Sequence, residues 1–277
     1  MWGVLPVYFK LVESVSSSEV LAHRIIWAIP FGALIIHLRR QWPEVRIALR
    51  HRRMLLWLVA SAIIIAVNWY IYIVAVQTDR IFQASLGYYI NPLIFVLAGV
   101  TIFGEQLRTK QTAAVILAAI GVLVLTFSGS EFPWISIALG ISFTAYGVIR
   151  KRVVIGAMPG LFIETLVLVP IALLWLAWMT RAGEAVFGSA GTELTGLLLL
   201  AGPVTVVPLM MFAVAARRLT LATVGFMQFL APTMQFATGI YYGEQLTTPR
   251  LICFACIWLA VVLFSMDAIR ARKSKRA

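Results

Sequence analysis

The sequence predicts an all-α integral membrane protein, with ten transmembrane helices forming two inverted five-helix repeats. Three observations lead there. The composition is too apolar for a soluble globule, the basic residues alternate between loops, and motifs of the first half return in the second. Hydrophobic residues make up 61% of the chain and charged residues 12%, where soluble domains carry about 25% charged residues. A globule of 277 residues has too little interior for so much apolar surface, and a bilayer supplies the missing apolar solvent.

A crossing helix needs about 20 predominantly apolar residues. Segments of that character run over 1–12, 18–38, 54–77, 81–103, 110–128, 133–149, 158–179, 194–216, 220–242 and 249–267. The first is expected to be truncated, since Met1 directly precedes Trp2 and leaves too few residues to cross. No basic stretch precedes it, so insertion is expected to use the spans rather than a cleaved signal peptide.

The net charge of +12 suggests nucleic acid, but its distribution excludes that partner. Basic residues cluster at 39–53, 108–110, 150–152, 217–218 and 270–276, all loops or tail on one side of a ten-span topology. The other side carries only Lys10, Arg80, Arg181 and Arg250. Positive charge anchors the cytoplasmic side, so both termini are expected there, in the cell membrane. The longest loop, 39–53, reads as an orientation anchor.

Ala75-Val76-Gln77-Thr78-Asp79-Arg80 before Ala84-Ser85-Leu86-Gly87-Tyr88 parallels Ala213-Val214-Ala215-Ala216-Arg217-Arg218 before Ala222-Thr223-Val224-Gly225-Phe226. Pro92 then matches Pro232, and Gly104-Glu105-Gln106-Leu107 matches Gly243-Glu244-Gln245-Leu246. The halves are 1–129 and 130–277, the second ending in a basic cytoplasmic tail. Five spans in each half invert the second against the first. Inverted repeats are a common plan of secondary transporters, with substrate held at the repeat interface near the midplane.

The chain resembles EamA-type members of the drug/metabolite transporter superfamily, most closely the RarD branch. The resemblance is carried by Trp2-Gly3-Val4-Leu5-Pro6-Val7-Tyr8-Phe9-Lys10, Ala22-His23-Arg24-Ile25-Ile26-Trp27, Asn68-Trp69 and Ala84-Ser85-Leu86-Gly87-Tyr88-Tyr89-Ile90-Asn91-Pro92. Gly104-Glu105, Ala215-Ala216-Arg217-Arg218-Leu219 and Phe226-Met227-Gln228-Phe229-Leu230-Ala231-Pro232-Thr233 carry it further. It implies ten helices in two inverted repeats and export or exchange of small metabolites or drugs.

Several residues are candidates for that work. Arg24 lies within the second span, where a charge either faces the bundle interior or snorkels to the headgroups. Glu164 holds the matching position in the seventh span. The two differ in depth by about 12 Å in a core about 30 Å thick, so separate roles are expected. Glu164 is the candidate for proton coupling, against a structural role beside Arg150-Lys151-Arg152. His23 reads as a histidine satisfied by local polar groups. Tyr8, Asn68, Trp69, Tyr88, Asn91, Gln228 and Gln235 are candidates to line a substrate cavity. Pro92 and Pro232 are expected helix breaks, each removing a hydrogen bond donor. Gly104-Glu105 and Gly243-Glu244 read as turns.

Cys253-Phe254-Ala255-Cys256 lacks the two further ligands a zinc site needs. No phosphate-cradling or hydrolase motif is present, so neither cofactor nor metal is expected. The expected partners are a small-molecule substrate, the lipid bilayer, and protons or another coupling ion, with a homodimer left open. A carrier is favoured over an intramembrane enzyme on lipid-linked substrates and over a non-transporting assembly subunit.

Overall fold

The computed structural model describes residues 2–78, 80–128, 134–241 and 247–274. Among these residues there is no strand. A 3-10 turn, Trp2–Val4, leads into α1 (Leu5–Leu11), α2 (Ser17–Leu38), α3 (Trp42–Arg50), α4 (Arg52–Gln77), α5 (Ile81–Phe103) and α6 (Thr109–Phe127). Then follow α7 (Trp134–Arg152), α8 (Ala157–Ala182), α9 (Thr192–Arg218), α10 (Leu221–Gln228), α11 (Leu230–Tyr241) and α12 (Thr248–Ser274).

Among the described residues six helices are long and apolar enough to cross a membrane: α2, α4, α5, α6, α8 and α9. The chain is a multi-pass membrane protein. The other expected spans are helical but shorter, broken or less apolar. Within the expected span 1–12, Trp2–Val4 form the 3-10 turn and Leu5–Leu11 the seven-residue α1. The segment 220–242 is split between α10 and α11, and α12 holds a shorter apolar stretch, Leu251–Phe264. Loop 39–53 contains α3, which the span pattern does not anticipate because its apolar face is short. Val45 and Ala48 are buried, while Arg46 and Arg50 point to solvent.

Local chemistry sets the helix ends. Ser16 caps α2 by accepting from the Glu19 amide at 3.3 Å, and His51 caps α4 by accepting from the Met54 amide. Gly104 ends α5 at φ 64° and Gly183 ends α8 at φ 73°, left-handed conformations open to glycine at little cost. Pro232 has no amide hydrogen, so the Gln228 carbonyl loses its usual donor four residues on, and the helix stops between α10 and α11. Pro92 does not break its helix: α5 runs continuously from Ile81 to Phe103. One lost bond is tolerated there because the flanking turns stay packed on α6, α10 and α11.

The chain forms two compact units, each drawing on both halves of the sequence. Unit 1 comprises Met1–Pro6, Arg80–Thr144 and Leu219–Ala277. Its core joins α5, α6 and α12 through Tyr89, Val96, Ala118, Ile257 and Phe264, with Phe229 between α10 and α11. Cys253 is part of this apolar core, with its thiol free. Unit 2 comprises Val7–Asp79 and Ala145–Arg218. There α2 lies against α8 and α9, and α4 packs on α8.

Small residues allow the closest approaches, as membrane helices require when lipid offers no hydrophobic drive to association. A Cβ at Gly202 of α9 would run into the Trp27 backbone carbonyl of α2. A Cβ at Gly121 of α6 would meet the Cys256 Cβ of α12 at 2.8 Å. Gly196, also in α9, has nothing within 4 Å of that position. Gly202→Ala is therefore expected to destabilise the detergent-solubilised protein by about 1–3 kcal/mol. Gly196→Ala is expected to be neutral or slightly stabilising. Thermal melting of the two variants side by side checks this, and equal melting temperatures would refute the close-approach argument.

Candidate functional site

Unit 2 holds buried ionisable groups within its membrane-crossing helices. Arg24 of α2 is 4% exposed. Its Nε donates to Thr205 Oγ1 at 3.0 Å, and its guanidinium lies 4.7 Å from the Trp69 ring centroid and 5.3 Å from that of Phe9. Thr205 donates in turn to the Ala201 carbonyl at 2.7 Å, and Phe9 meets Tyr72 edge to face. Arg24 is thus held inward rather than snorkelling. Ring faces attract a desolvated guanidinium with about 2 kcal/mol. Tyr8, beside Phe9, donates its hydroxyl to the Leu197 carbonyl at 3.0 Å.

At the α8 N-terminal end, Glu164 and Arg150 form an ion pair at 3.4 Å, each side chain 1% exposed. Glu164 Oε1 also accepts from Ser61 at 2.7 Å, and Oε2 accepts from Tyr146 at 3.5 Å. Arg150 donates to the Ala157 carbonyl at 2.8 Å. Gly160 leaves room for the guanidinium, because a Cβ there would overlap it. The same end carries a contact from α3, whose Glu44 accepts from the Gly156 amide at 3.2 Å.

At the α2 N-terminal end, Glu19 is fully buried and His23 is 3% exposed. Glu19 Oε1 accepts from the Val186 amide at 2.9 Å and the Phe187 amide at 3.0 Å. His23 Nε2 stands 3.7 Å from the same oxygen. Trp27 Nε1 donates to His23 Nδ1 at 3.1 Å, and the Phe187 ring lies over the imidazole at 4.6 Å. The indole nitrogen only donates, so His23 Nδ1 is an acceptor and the ring proton sits on Nε2, facing Glu19.

The polar cluster around Asn91 in unit 1 is different in kind. Asn91 of α5 is 1% exposed. It accepts from Thr144 at 3.0 Å and donates to Gln228 Oε1 at 2.8 Å. Gln228 is the last residue of α10, beside the break before Pro232, whose carbonyl accepts from Tyr89 at 3.3 Å. Gln235 donates to the Trp2 carbonyl at 3.0 Å. These groups are all amides and hydroxyls. Gln228 Nε2 and Gln235 Oε1 are buried and have no hydrogen-bond partner among the described residues.

The candidates named from the sequence therefore fall into two sets. Arg24, Trp69 and Glu164 lie in unit 2 with Tyr8 and the buried Asn68, and Arg24 and Glu164 have different partners. Tyr88, Asn91, Gln228, Gln235 and Pro232 lie in unit 1, where Tyr88 is half-buried. The Pro92 side chain and the Gly243-Glu244 turn lie outside the described residues. Sequence reasoning missed Glu19, Ser61, Tyr146, Thr144 and Thr205. Only Glu19 left a usable signal: it sits three residues after Ser16 in a helix-start pattern and four before His23.

Ionisable and amide side chains buried within crossing helices mark functional membrane proteins. Residues 1–127 match the EamA-like transporter family. Protein RarD of Salmonella typhi is 39% identical over 99% of this chain and 94% of its own length. An uncharacterized transporter of Vibrio cholerae is 41% identical over 100% of this chain and 92% of its own. The chloramphenicol-sensitive protein RarD of Pseudomonas aeruginosa is 32% identical over 100% of this chain and 94% of its own. A solved crystal structure shares the fold at TM-score 0.70, with 18% identity and coverage of 98% of this chain and 94% of that one. This chain is a membrane transporter of the drug/metabolite superfamily and belongs to the EamA-like transporter family, in its RarD branch.

The Arg150–Glu164 pair gives a stability prediction. Removing one member strands the other without its countercharge, and Glu164→Gln or Arg150→Met is expected to cost about 3–5 kcal/mol. The double variant Arg150→Met with Glu164→Leu is expected to recover much of that loss. A double-mutant cycle of melting temperatures checks the coupling, and additive losses would show that the pair is not a unit.

Proposed function

We propose that this protein is a secondary-active carrier that exports or exchanges small, uncharged polar organic molecules across the cell membrane by alternating access. One observation carries the substrate class. The Thr144–Asn91–Gln228 chain and Gln235 offer one buried, unpartnered donor and one such acceptor among the described residues, with no charge in the chain. Leaving a buried polar atom unpaired costs about 1–3 kcal/mol, so such atoms at a broken helix are well suited to a ligand that completes them. Interrupted helices that free backbone groups are a recurrent device of transporter binding sites.

The mechanism rests on ten spans as inverted repeats over 1–129 and 130–277. Helix pairing supports that reading. α6 packs on α12, α5 on α10 and α11, and α2 on α8, and in each case the partners hold corresponding places in the two halves. Pro30 in α2 and Pro170 in α8 follow the same correspondence. Inverted repeats of this kind exchange conformations between two faces of the membrane. The basic clusters favour a cytoplasmic side for both termini, α3 and the Arg150 end of unit 2. The Glu44–Gly156 hydrogen bond supports a common side for two of those clusters. We read Glu164 as a brace within unit 2, since both of its oxygens are engaged.

The names of the relatives favour a carrier over an enzyme acting on lipid-linked substrates. The name of the Pseudomonas aeruginosa relative makes chloramphenicol, a neutral amide, a reasonable first probe. Purified protein in liposomes is expected to move neutral polar probes in preference to charged analogues of similar size. Gln228→Leu is expected to lower that flux about tenfold or more while the protein remains monodisperse. Undiminished flux in Gln228→Leu, or preference for charged probes, would overturn the substrate class. No flux of any probe in the panel would count against a carrier.

A further inference from the structure

The buried ionisable groups of unit 2 are not equally engaged. Arg24 stays charged at any physiological pH. Glu164 has both oxygens hydrogen-bonded and a guanidinium beside it. Glu19 is different: Oε1 takes two backbone amides, while Oε2 is buried with no hydrogen-bond partner among the described residues. An acceptor oxygen with both lone pairs idle has room for an added proton. His23 turns Nδ1 to Trp27 and Nε2 toward Glu19.

We propose that Glu19 is a proton-binding site of this transporter, with Oε2 taking the proton and Oε1 holding the 183–191 segment against α2. The proton comes from bulk water and forms an O–H bond at Oε2; no other bond is made or broken. The anionic carboxylate is stabilised by the Val186 and Phe187 amides and by its place in the first turn of α2, where the helix dipole is positive. Protonation removes the charge that both attractions use, so the amides are held less tightly. The segment is hinged for release, with Gly183, Gly188 and Gly191 all in left-handed conformations. The hold is therefore strongest at neutral and alkaline pH and weakens on acidification.

The surroundings leave Glu19 as the responsive group. On α2 the facing ionisable group is His23. From α4 comes Gln77, uncharged and bonded to Ser17 and the Val15 carbonyl. Glu184 in the segment, Arg181 at the end of α8 and Glu193 at the start of α9 are exposed to solvent. Lys10 and Glu13 pair with each other at 2.9 Å. Within the proposed topology this end of unit 2 faces outward, so the site would read the proton supply outside the cell and couple it to an external segment.

The inference rests on the carrier reading for its purpose but not for its test. A nitroxide attached at Ala190→Cys, an exposed position in the segment, reports local mobility in lipid nanodiscs. Protein lacking that substitution gives the background from Cys253 and Cys256. The label is expected to become several-fold more mobile on acidification, and to be mobile at every pH once Glu19→Gln is added. A pH-independent spectrum in the Ala190→Cys protein, or a pH response that survives Glu19→Gln, would overturn the proposal. If Glu19→Gln does not yield monodisperse protein, Glu19→Asp replaces it. Its shorter carboxylate does not span both amides, so the label is expected to be mobile throughout, and an unchanged pH response would again overturn the proposal. No flux is needed: inert liposomes with a pH-responsive label would remove the carrier reading alone, and active liposomes with a pH-independent label would remove the proton site alone.

Discussion

Hydrocarbon offers no hydrogen bonds, and this constraint governs nearly every polar residue in the chain. A polar group inside a crossing helix has to find a protein partner, and the structure is largely a record of how partners are found. Arg24 uses two aromatic faces and a threonine, and Glu164 an arginine, a serine and a tyrosine. Asn91 uses a threonine and a glutamine. These partners come from helices far apart in sequence, so satisfying them ties the units together internally.

The two units meet this constraint differently. Unit 2 buries ionisable groups in its helices and engages them with one another, with hydroxyls, with aromatic faces and with backbone amides. The polar cluster around Asn91 in unit 1 is made of neutral amides and hydroxyls and retains unspent capacity at the α10–α11 break. A neutral site bonds a neutral ligand without desolvating a countercharge, whereas charged pairs resist deformation and suit a frame.

Close helix contacts reinforce the polar ties. Gly202 brings α9 onto the α2 backbone and Gly121 brings α6 onto α12. Apolar side chains gain little by leaving lipid for a neighbouring helix, so dispersion at short range has to supply what the hydrophobic effect supplies in water.

Much of the architecture was legible without coordinates. Composition dictates a membrane protein, since 61% hydrophobic residues leave no other apolar solvent. The apolar runs locate most helices, and Gly104 marks a helix end because its left-handed geometry favours glycine. The motif at Ala22–Trp27 and its companions indicate the family. Hydropathy did not reveal α3, whose buried face rests on few residues, nor distinguish Pro92, which a packed helix absorbs, from Pro232, where the helix stops. Only tertiary structure decided which polar residues meet. Glu19 meets amides of Val186 and Phe187, Arg24 meets Thr205, and Asn91 meets Gln228, all across more than a hundred residues of chain. Sequence determines where a polar group sits along its own helix. Which neighbour satisfies it depends on how helices rotate and pair, and that follows from the packing of the whole unit.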